Sequence, residues 1–286
     1  MTTLQEQAYA KLNLTLDILG KREDGYHDLE SVMQQITFCD EIEIDVETGE
    51  DWKIECDWED VPTDSRNLAW EAARVFYCSI GKDPQGVTIR ITKRIPMQAG
   101  LAGGSADAAA VLRALNRHEN EPYTIWELAR LGAKVGSDVP FCVLGHTAKA
   151  TGRGEKLEPM APMPQCFYCI CMPNFTNSTP ALFQAFDQEK LPWHPHTEEM
   201  ERALDQQDLL KVAGYLGNSM EALVAKDHEE IGKIRAVMED SGALGCAMTG
   251  SGPAVFGIFD AFDMAAMASM QLMEQGYKTY LSRNVE

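Results

Sequence analysis

The run Pro96-Met97-Gln98-Ala99-Gly100-Leu101-Ala102-Gly103-Gly104-Ser105 carries the clearest chemical signal in the sequence. Glycines let a backbone turn tightly and admit a bulky anion without Cβ obstruction. A small-residue helix is predicted from Ser105 to Asn116, and its start would offer unpaired N–H groups and the positive end of a dipole. Ser105 can cap that start or donate to a phosphate oxygen. The loop is not a Walker A motif, because no Gly-Lys-Ser/Thr ends it. The same residues would also suit a turn packed closely against a sheet.

Three other places have residue types that could join phosphate chemistry. Lys11 and Asn13 share one face of a predicted strand, opposite Leu12, Leu14 and Leu16. With the leucines in the core, the cation and the carboxamide point to solvent or into a cleft. Asp138 follows Gly136-Ser137 and enters the apolar run Val139-Pro140-Phe141. It suits either a general base for a hydroxyl or a turn residue bonded to nearby amides. The third place is Gly250-Ser251-Gly252, between two short apolar runs. It is either a ligand-facing turn or a plain hairpin.

Elements must hold these residues in place. Period-2 patterning predicts strands around Leu12–Ile18 and over 27–38, 41–46 and 87–92. A helix over 67–80 starts at Asn67, a good N-cap. A second helix covers 124–135, and the apolar stretch 139–145 reads as a strand. The second half predicts a strand at 167–172, several helices between Pro180 and Ser241, and strands near 245–248 and 254–259. A helix over 261–275 and a strand over 277–281 close the chain. A change in pattern near Gly152–Glu155 divides it into domains 1–153 and 154–286, two α+β halves with a cleft between them.

Composition narrows the partners. With 25 Lys and Arg against 44 Asp and Glu, the formal charge is −19. That excludes a nucleic-acid backbone, which needs clustered cations, but not one nucleotide held by backbone amides. No apolar run has the length of a membrane span, and the N-terminus lacks the form of a signal peptide, so no membrane partner and a cytoplasmic location are expected. The eight cysteines then read as buried thiols, and no second ligand pair marks a metal site.

The order of these motifs resembles the GHMP kinase superfamily. The resemblance runs through Ala10–Leu14, Asp24-Gly25-Tyr26-His27-Asp28-Leu29, Ile95–Ala109, Gly136–Phe141, Thr151-Gly152-Arg153-Gly154-Glu155 and Thr249–Gly252, nearly the whole chain. It implies an α+β, two-domain GHMP kinase architecture with the active site in the inter-domain cleft, and a small-molecule kinase using ATP and Mg²⁺. Domain 1–153 would bind ATP, and domain 154–286 would contribute to the substrate site. Gly25-Tyr26-His27 points within the superfamily to an alcohol joined to a cytidine diphosphate group, in the non-mevalonate isoprenoid route. A homoserine or mevalonate kinase, a decarboxylase and a non-catalytic nucleotide-binding regulator are the other readings.

Carried over by motif position, Asp138 resembles the catalytic base and Lys11 the lysine that pairs with it and steadies developing charge. Pro96, Gly100, Leu101, Ala102, Gly103, Gly104 and Ser105 are implied to bind ATP phosphates. The substrate would meet Asn13, Tyr26, His27 and Asp138, with Phe183 as a second aromatic face; Gly250, Ser251 and Gly252 form the third-motif turn. Gln98 and Ala102 stand where some relatives have glycine, and a negative φ would make Ala102 harmless. Asp107 is expected either to cap its helix or to face magnesium. The resemblance is compatible with a monomer or a homodimer.

Overall fold

The computed structural model describes residues 2–47, 49, 51–188 and 193–285. Two strands, β1 (Thr2–Lys21) and β2 (His27–Val46), each pass through both of the compact units into which the chain folds. The first unit comprises Met1–Ala10, Cys39–Met97 and Ala102–Gly145; the second comprises Lys11–Phe38, Gln98–Leu101 and His146–Glu286.

In the first unit, β3 (Lys53–Cys56) runs parallel to β4 (Val87–Thr92), and β4 runs antiparallel to β2 from Glu41 opposite Thr92 to Val46 opposite Val87. The helix α1 (Leu68–Ile80) starts where Asn67 predicts, with the Asn67 side chain accepting from the Ala69 amide. Against it packs α2 (Gly103–His118), whose Ala106, Ala108, Ala109 and Ala110 are buried and permit close approach. Thr124 and Glu127 form a capping box at the start of α3 (Ile125–Gly132).

Two sequence expectations change here. The stretch after Asp138 is a helix, α4 (Val139–Leu144), not a strand. A short buried apolar run fits either element by periodicity, and Pro140 in the first helical turn with Asp138 at the N-cap decides for helix. Strands 27–38 and 41–46 are one continuous strand. Asp40, between them, is fully buried, and its Oδ1 accepts from the amides of Arg94 at 2.5 Å and Ile95 at 2.8 Å. A satisfied carboxylate lets β2 continue through Asp40.

In the second unit, β5 (Thr147–Gly152) pairs antiparallel with β2, from Leu29 opposite Gly152 to Gln34 opposite Thr147, and β6 (Lys156–Pro159) pairs with β5. A separate antiparallel sheet contains β7 (Phe167–Met172). The short strand β8 (Gly217–Asn218) runs parallel to β1 at Thr15 and Leu16. The separate sheet also holds β9 (Gly245–Met248), β10 (Val255–Phe259) and β11 (Lys278–Arg283), in the order β11-β7-β10-β9. Around it lie α5 (Thr179–Gln188), α6 (Thr197–Asp205), α7 (Leu209–Gly214), α8 (Glu221–Asp227), α9 (Glu230–Asp240) and α10 (Phe262–Glu274). Cys169, Cys171 and Cys246 pack in this unit's core with Ile234, Phe259 and Leu272. Burial pushes all three thiols up, Cys169 and Cys246 to about 12. Among the described residues, no helix is long and apolar enough to cross a membrane.

Candidate active site

The second unit brings together Lys11 and Asn13 of β1, residues 98–101 of the glycine-rich loop and the Gly250-Ser251-Gly252 turn. Lys11 and Asn13 are buried, at 3% and 2% exposure, and so are Leu12 and Leu14 on the opposite face of β1. Both faces of the strand are therefore covered, and Lys11 is not a solvated surface lysine. Its ammonium donates to the Gly100 carbonyl at 2.8 Å and to the Asn13 side-chain oxygen. A buried ammonium needs such acceptors, because loss of hydration alone would favour its neutral form.

Asn13 is fixed at several points. Its Nδ2 donates to Ser31 Oγ at 2.8 Å, and its backbone N–H donates to Thr249 Oγ1 at 3.0 Å. The Thr249 hydroxyl lies 3.2 Å from the Gly100 carbonyl and 3.3 Å from Asn13 Oδ1. Ser31 and Thr249 thus belong to this network, although sequence reasoning gave neither a role. Thr249 stands next to Gly250-Ser251-Gly252, which was a usable signal; Ser31 lies inside an ordinary strand pattern and gave none. Asn218, also unforeseen, donates to the carbonyls of Met248 at 2.9 Å and Gly250 at 2.8 Å. It holds the third-motif turn from below.

Glycine is required at two points where this turn meets the loop. Gly100 has φ +78°, and a Cβ there would run into the Thr249 carbonyl. Gly250 has φ +58°, and a Cβ there would stand 2.9 Å from the Gly100 carbonyl and 3.2 Å from Lys11 Nζ. Ser251 shares a 2.7 Å hydrogen bond with Thr179, and its carbonyl accepts from Asn177 at 3.1 Å. Gly252 also has positive φ, at +71°. The third motif is a glycine-dependent turn tied to its surroundings rather than a bare hairpin.

In the first unit, Ala102 is the N-cap of α2 and makes no side-chain capping bond. Its φ is +58° and that of Gln98 is +53°. The negative φ that would make Ala102 harmless is therefore not adopted. The turn into α2 demands the left-handed region, where an L-residue is strained by about 1–2 kcal/mol. Ser105 lies within the first turn and does not cap it. A Cβ on Gly103 would come within 3.0 Å of Ile95 and 3.2 Å of Lys93 Nζ, so this glycine packs α2 against the strand end. The amides of Gly103, Gly104 and Ser105 begin the helix with no side chain capping them. Pro96 and Leu101 flank the loop, half-buried and buried respectively.

Asp107 neither caps α2 nor points outward. It is buried, with Oδ2 accepting from Lys93 Nζ at 2.9 Å, and Lys93 also bonds Asp40. Asp107 Oδ1 has no hydrogen-bond partner. Burial, opposed by Lys93 and reinforced by the neighbouring Asp40, pushes the Asp107 carboxyl up to about 8. Lys93 itself is held above its usual range by the two carboxylates, which outweigh its burial.

Asp138 is partly exposed at the start of α4, with no capping bond from its side chain. The alternative of a turn carboxylate bonded to nearby amides does not hold.

The Tyr26 and His27 region is in the second unit. Tyr26 is exposed, with the Arg153 guanidinium 4.6 Å from its ring centroid. His27 stacks on Phe183, with ring centroids 4.7 Å apart and an interplanar angle of 23°. Its Nε2 lies 2.6 Å from Asp187 Oδ1. Phe183 therefore pairs with His27, and Tyr26 with Arg153. Among the described residues, no group of three or more His, Cys, Asp or Glu could hold a metal ion.

The chain is similar to known proteins along nearly its whole length. The family GHMP kinases N terminal domain matches residues 67–146, and GHMP kinases C terminal matches 200–270. A 4-diphosphocytidyl-2-C-methyl-D-erythritol kinase of Bacillus pumilus is 45% identical over 253 residues, covering 88% of this chain and 87% of that protein. The enzyme of the same name from Clostridium beijerinckii is 38% identical over 279 residues, covering 98% and 99%. A crystal structure of 4-(cytidine 5'-diphospho)-2C-methyl-D-erythritol kinase superposes with a TM-score of 0.81 at 30% identity, covering 99% of this chain and 100% of that one.

Proposed function

Because the chain belongs to the 4-diphosphocytidyl-2-C-methyl-D-erythritol kinase family of GHMP kinases, we propose that it transfers the γ-phosphoryl group of ATP to the 2-hydroxyl of 4-diphosphocytidyl-2-C-methyl-D-erythritol. This is a step of the non-mevalonate route to isoprenoid precursors. The observation that carries the reading is the Lys11 ammonium, buried and anchored on the Gly100 carbonyl where the glycine-rich loop meets the Gly250-Ser251-Gly252 turn.

Phosphoryl transfer asks a protein mainly to align groups and neutralise charge. The substrate oxygen attacks the γ-phosphorus, the bond to the β-phosphate oxygen breaks, ADP leaves, and the hydroxyl proton passes to Asp138. Asp138 suits that role because its carboxylate is partly exposed and not engaged as a helix cap. Lys11 stabilises negative charge on the transferring group, and Asn13, held by Ser31 and Thr249, orients the acceptor. The uncapped amides of Gly103, Gly104 and Ser105 receive phosphate oxygens, as helix starts do. Pro96, Gly100, Leu101 and Ala102 shape the loop, and Gly250, Ser251 and Gly252 support it. Mg²⁺, held mainly by the nucleotide's own phosphates, would supply further neutralisation of their charge. Tyr26, His27 and Phe183 form the aromatic part of the substrate site and receive the cytosine ring.

Within this reading, residues 1–153 carry nucleotide binding and 154–286 contribute to the substrate site, a division supported by one matched family region in each half. A cytoplasmic setting is supported by eight free thiols. The test is an ADP-release assay with ATP, Mg²⁺ and the cytidyl substrate, run alongside homoserine and mevalonate. Turnover on the cytidyl substrate alone is expected. Turnover on another alcohol would keep the kinase and discard the substrate, and folded, ATP-binding protein without turnover on any would discard catalysis.

A further inference from the structure

We infer that Asp187 is a positioning residue: it holds the His27 ring in the tautomer protonated on Nε2, so that Nδ1 is left as an acceptor that favours cytosine over uracil. The inference rests on the substrate reading above and names the group that sets its base specificity.

The geometry begins with one helix. Phe183 and Asp187 are four residues apart on α5, so they lie on the same face one turn apart. Together they grip one imidazole. Phe183 covers its flat side, and Asp187 Oδ1 meets its Nε2 edge at 2.6 Å. The His27 side chain is only 8% exposed, so the ring is held rather than free to turn.

Asp187 can only accept in this contact. Its other oxygen, Oδ2, takes the Lys21 ammonium at 2.5 Å. His27 and Lys21 together hold the Asp187 carboxyl below its usual range, so it stays ionised at neutral pH. An ionised carboxylate has no proton to give, so Nε2 must be the donor. In a neutral imidazole the other nitrogen, Nδ1, is then an acceptor. Cytosine presents an exocyclic amine, a donor, where uracil presents a carbonyl oxygen. The lone pair on Nδ1 attracts the first and repels the second. Lys21 also lines a cavity of about 370 Å³ with Asp28, Leu29, Thr151, Gly152 and Lys156, at the start of the strand that carries His27.

The test compares wild type, Asp187→Ala and Asp187→Asn, all full length, on the cytidyl substrate and its uridyl counterpart. Imidazole ¹⁵N shifts of His27 are recorded on the same proteins. Asp187→Ala is expected to raise KM for the cytidyl substrate about tenfold or more, the effect of losing a charge-assisted hydrogen bond. Its kcat should change little, its preference for cytidyl over uridyl should narrow, and His27 should show mixed tautomers. Asp187→Asn keeps an acceptor oxygen and should recover part of the KM. An unchanged KM and preference in Asp187→Ala would overturn the inference. So would an equal loss on both nucleotides, the mark of a merely structural role, or a wild-type ring protonated on Nδ1 alone. Absence of wild-type turnover on the cytidyl substrate would overturn the substrate reading and with it the choice of cytosine, while the spectra report independently on the hold of Asp187 on the ring.

Discussion

Gly100 and Gly250 pack backbone against backbone, with the Gly100 carbonyl oxygen 2.9 Å from the point where a Cβ on Gly250 would stand. That same carbonyl accepts from Lys11 Nζ. The loop, the late turn and the buried cation therefore form one packed unit, and a change at either glycine is felt at the ammonium.

Gly250→Ala is expected to destabilise the protein by about 1–3 kcal/mol, since a side chain there meets backbone and must take a left-handed φ. Displacement of the Gly100 carbonyl should also lower kcat. Urea unfolding and steady-state kinetics on one preparation check both, and an unperturbed variant would show that the two backbones are not in contact.

Asp138→Asn is expected to lower kcat by about 10²–10⁴-fold, the range for removing a general base. Its unfolding midpoint should stay within about 0.5 kcal/mol of wild type, because the carboxylate makes no capping bond that the change would break. Near-normal turnover would remove Asp138 from the mechanism.

Lys11→Met keeps the aliphatic stem but removes the donor to Gly100 and Asn13. Turnover should fall roughly 10²–10³-fold, as when a positioned charge-stabilising donor is lost. Unlike Asp138→Asn, it should also cost about 1–3 kcal/mol of stability, because Asn13 Oδ1 and the Gly100 carbonyl lose their charged donor and are left to share the Thr249 hydroxyl. Denaturation curves distinguish the two variants.

Asp107 gives a pH dependence of stability with a definite sign. Its folded pKa of about 8 lies above the unfolded value, which is about 3.9. Between these, the native state binds the extra proton, so stability falls as pH rises from about 4 to about 8 and levels off above. Asp107→Asn cannot ionise and should gain on wild type steadily across that window. Paired unfolding curves at several pH values measure the difference, and parallel profiles would show that Asp107 is ionised in the folded protein throughout.

Much of the site was legible because its signals are local. Asn67 capping α1, the glycines before α2 and the strand pattern around Lys11 each follow from a few neighbouring residues. The errors share a cause. The run after Asp138 reads as a strand until Pro140 is given its place in a first helical turn. Asp40 reads as a break until the Arg94 and Ile95 amides, far along the chain, are seen to satisfy it. Ala102 looks harmless until the chain's path into α2 imposes φ +58°.

By itself the sequence determined which residue types were on hand: the glycine loop, a lysine and an asparagine two residues apart, an aspartate before an apolar run, and a tyrosine–histidine pair. It also carried the family, because the order of those motifs survives along nearly the whole chain. Only the tertiary structure decided that Lys11 is buried rather than solvated, that Thr249 and Ser31 fix Asn13, that Asp107 on α2 is buried against Lys93, and that Asp187 grips His27. Each of these depends on residues distant in sequence sharing one small volume. Local propensity does not encode such encounters; they arise from long-range strand pairing and from the need of every buried polar group to find a partner.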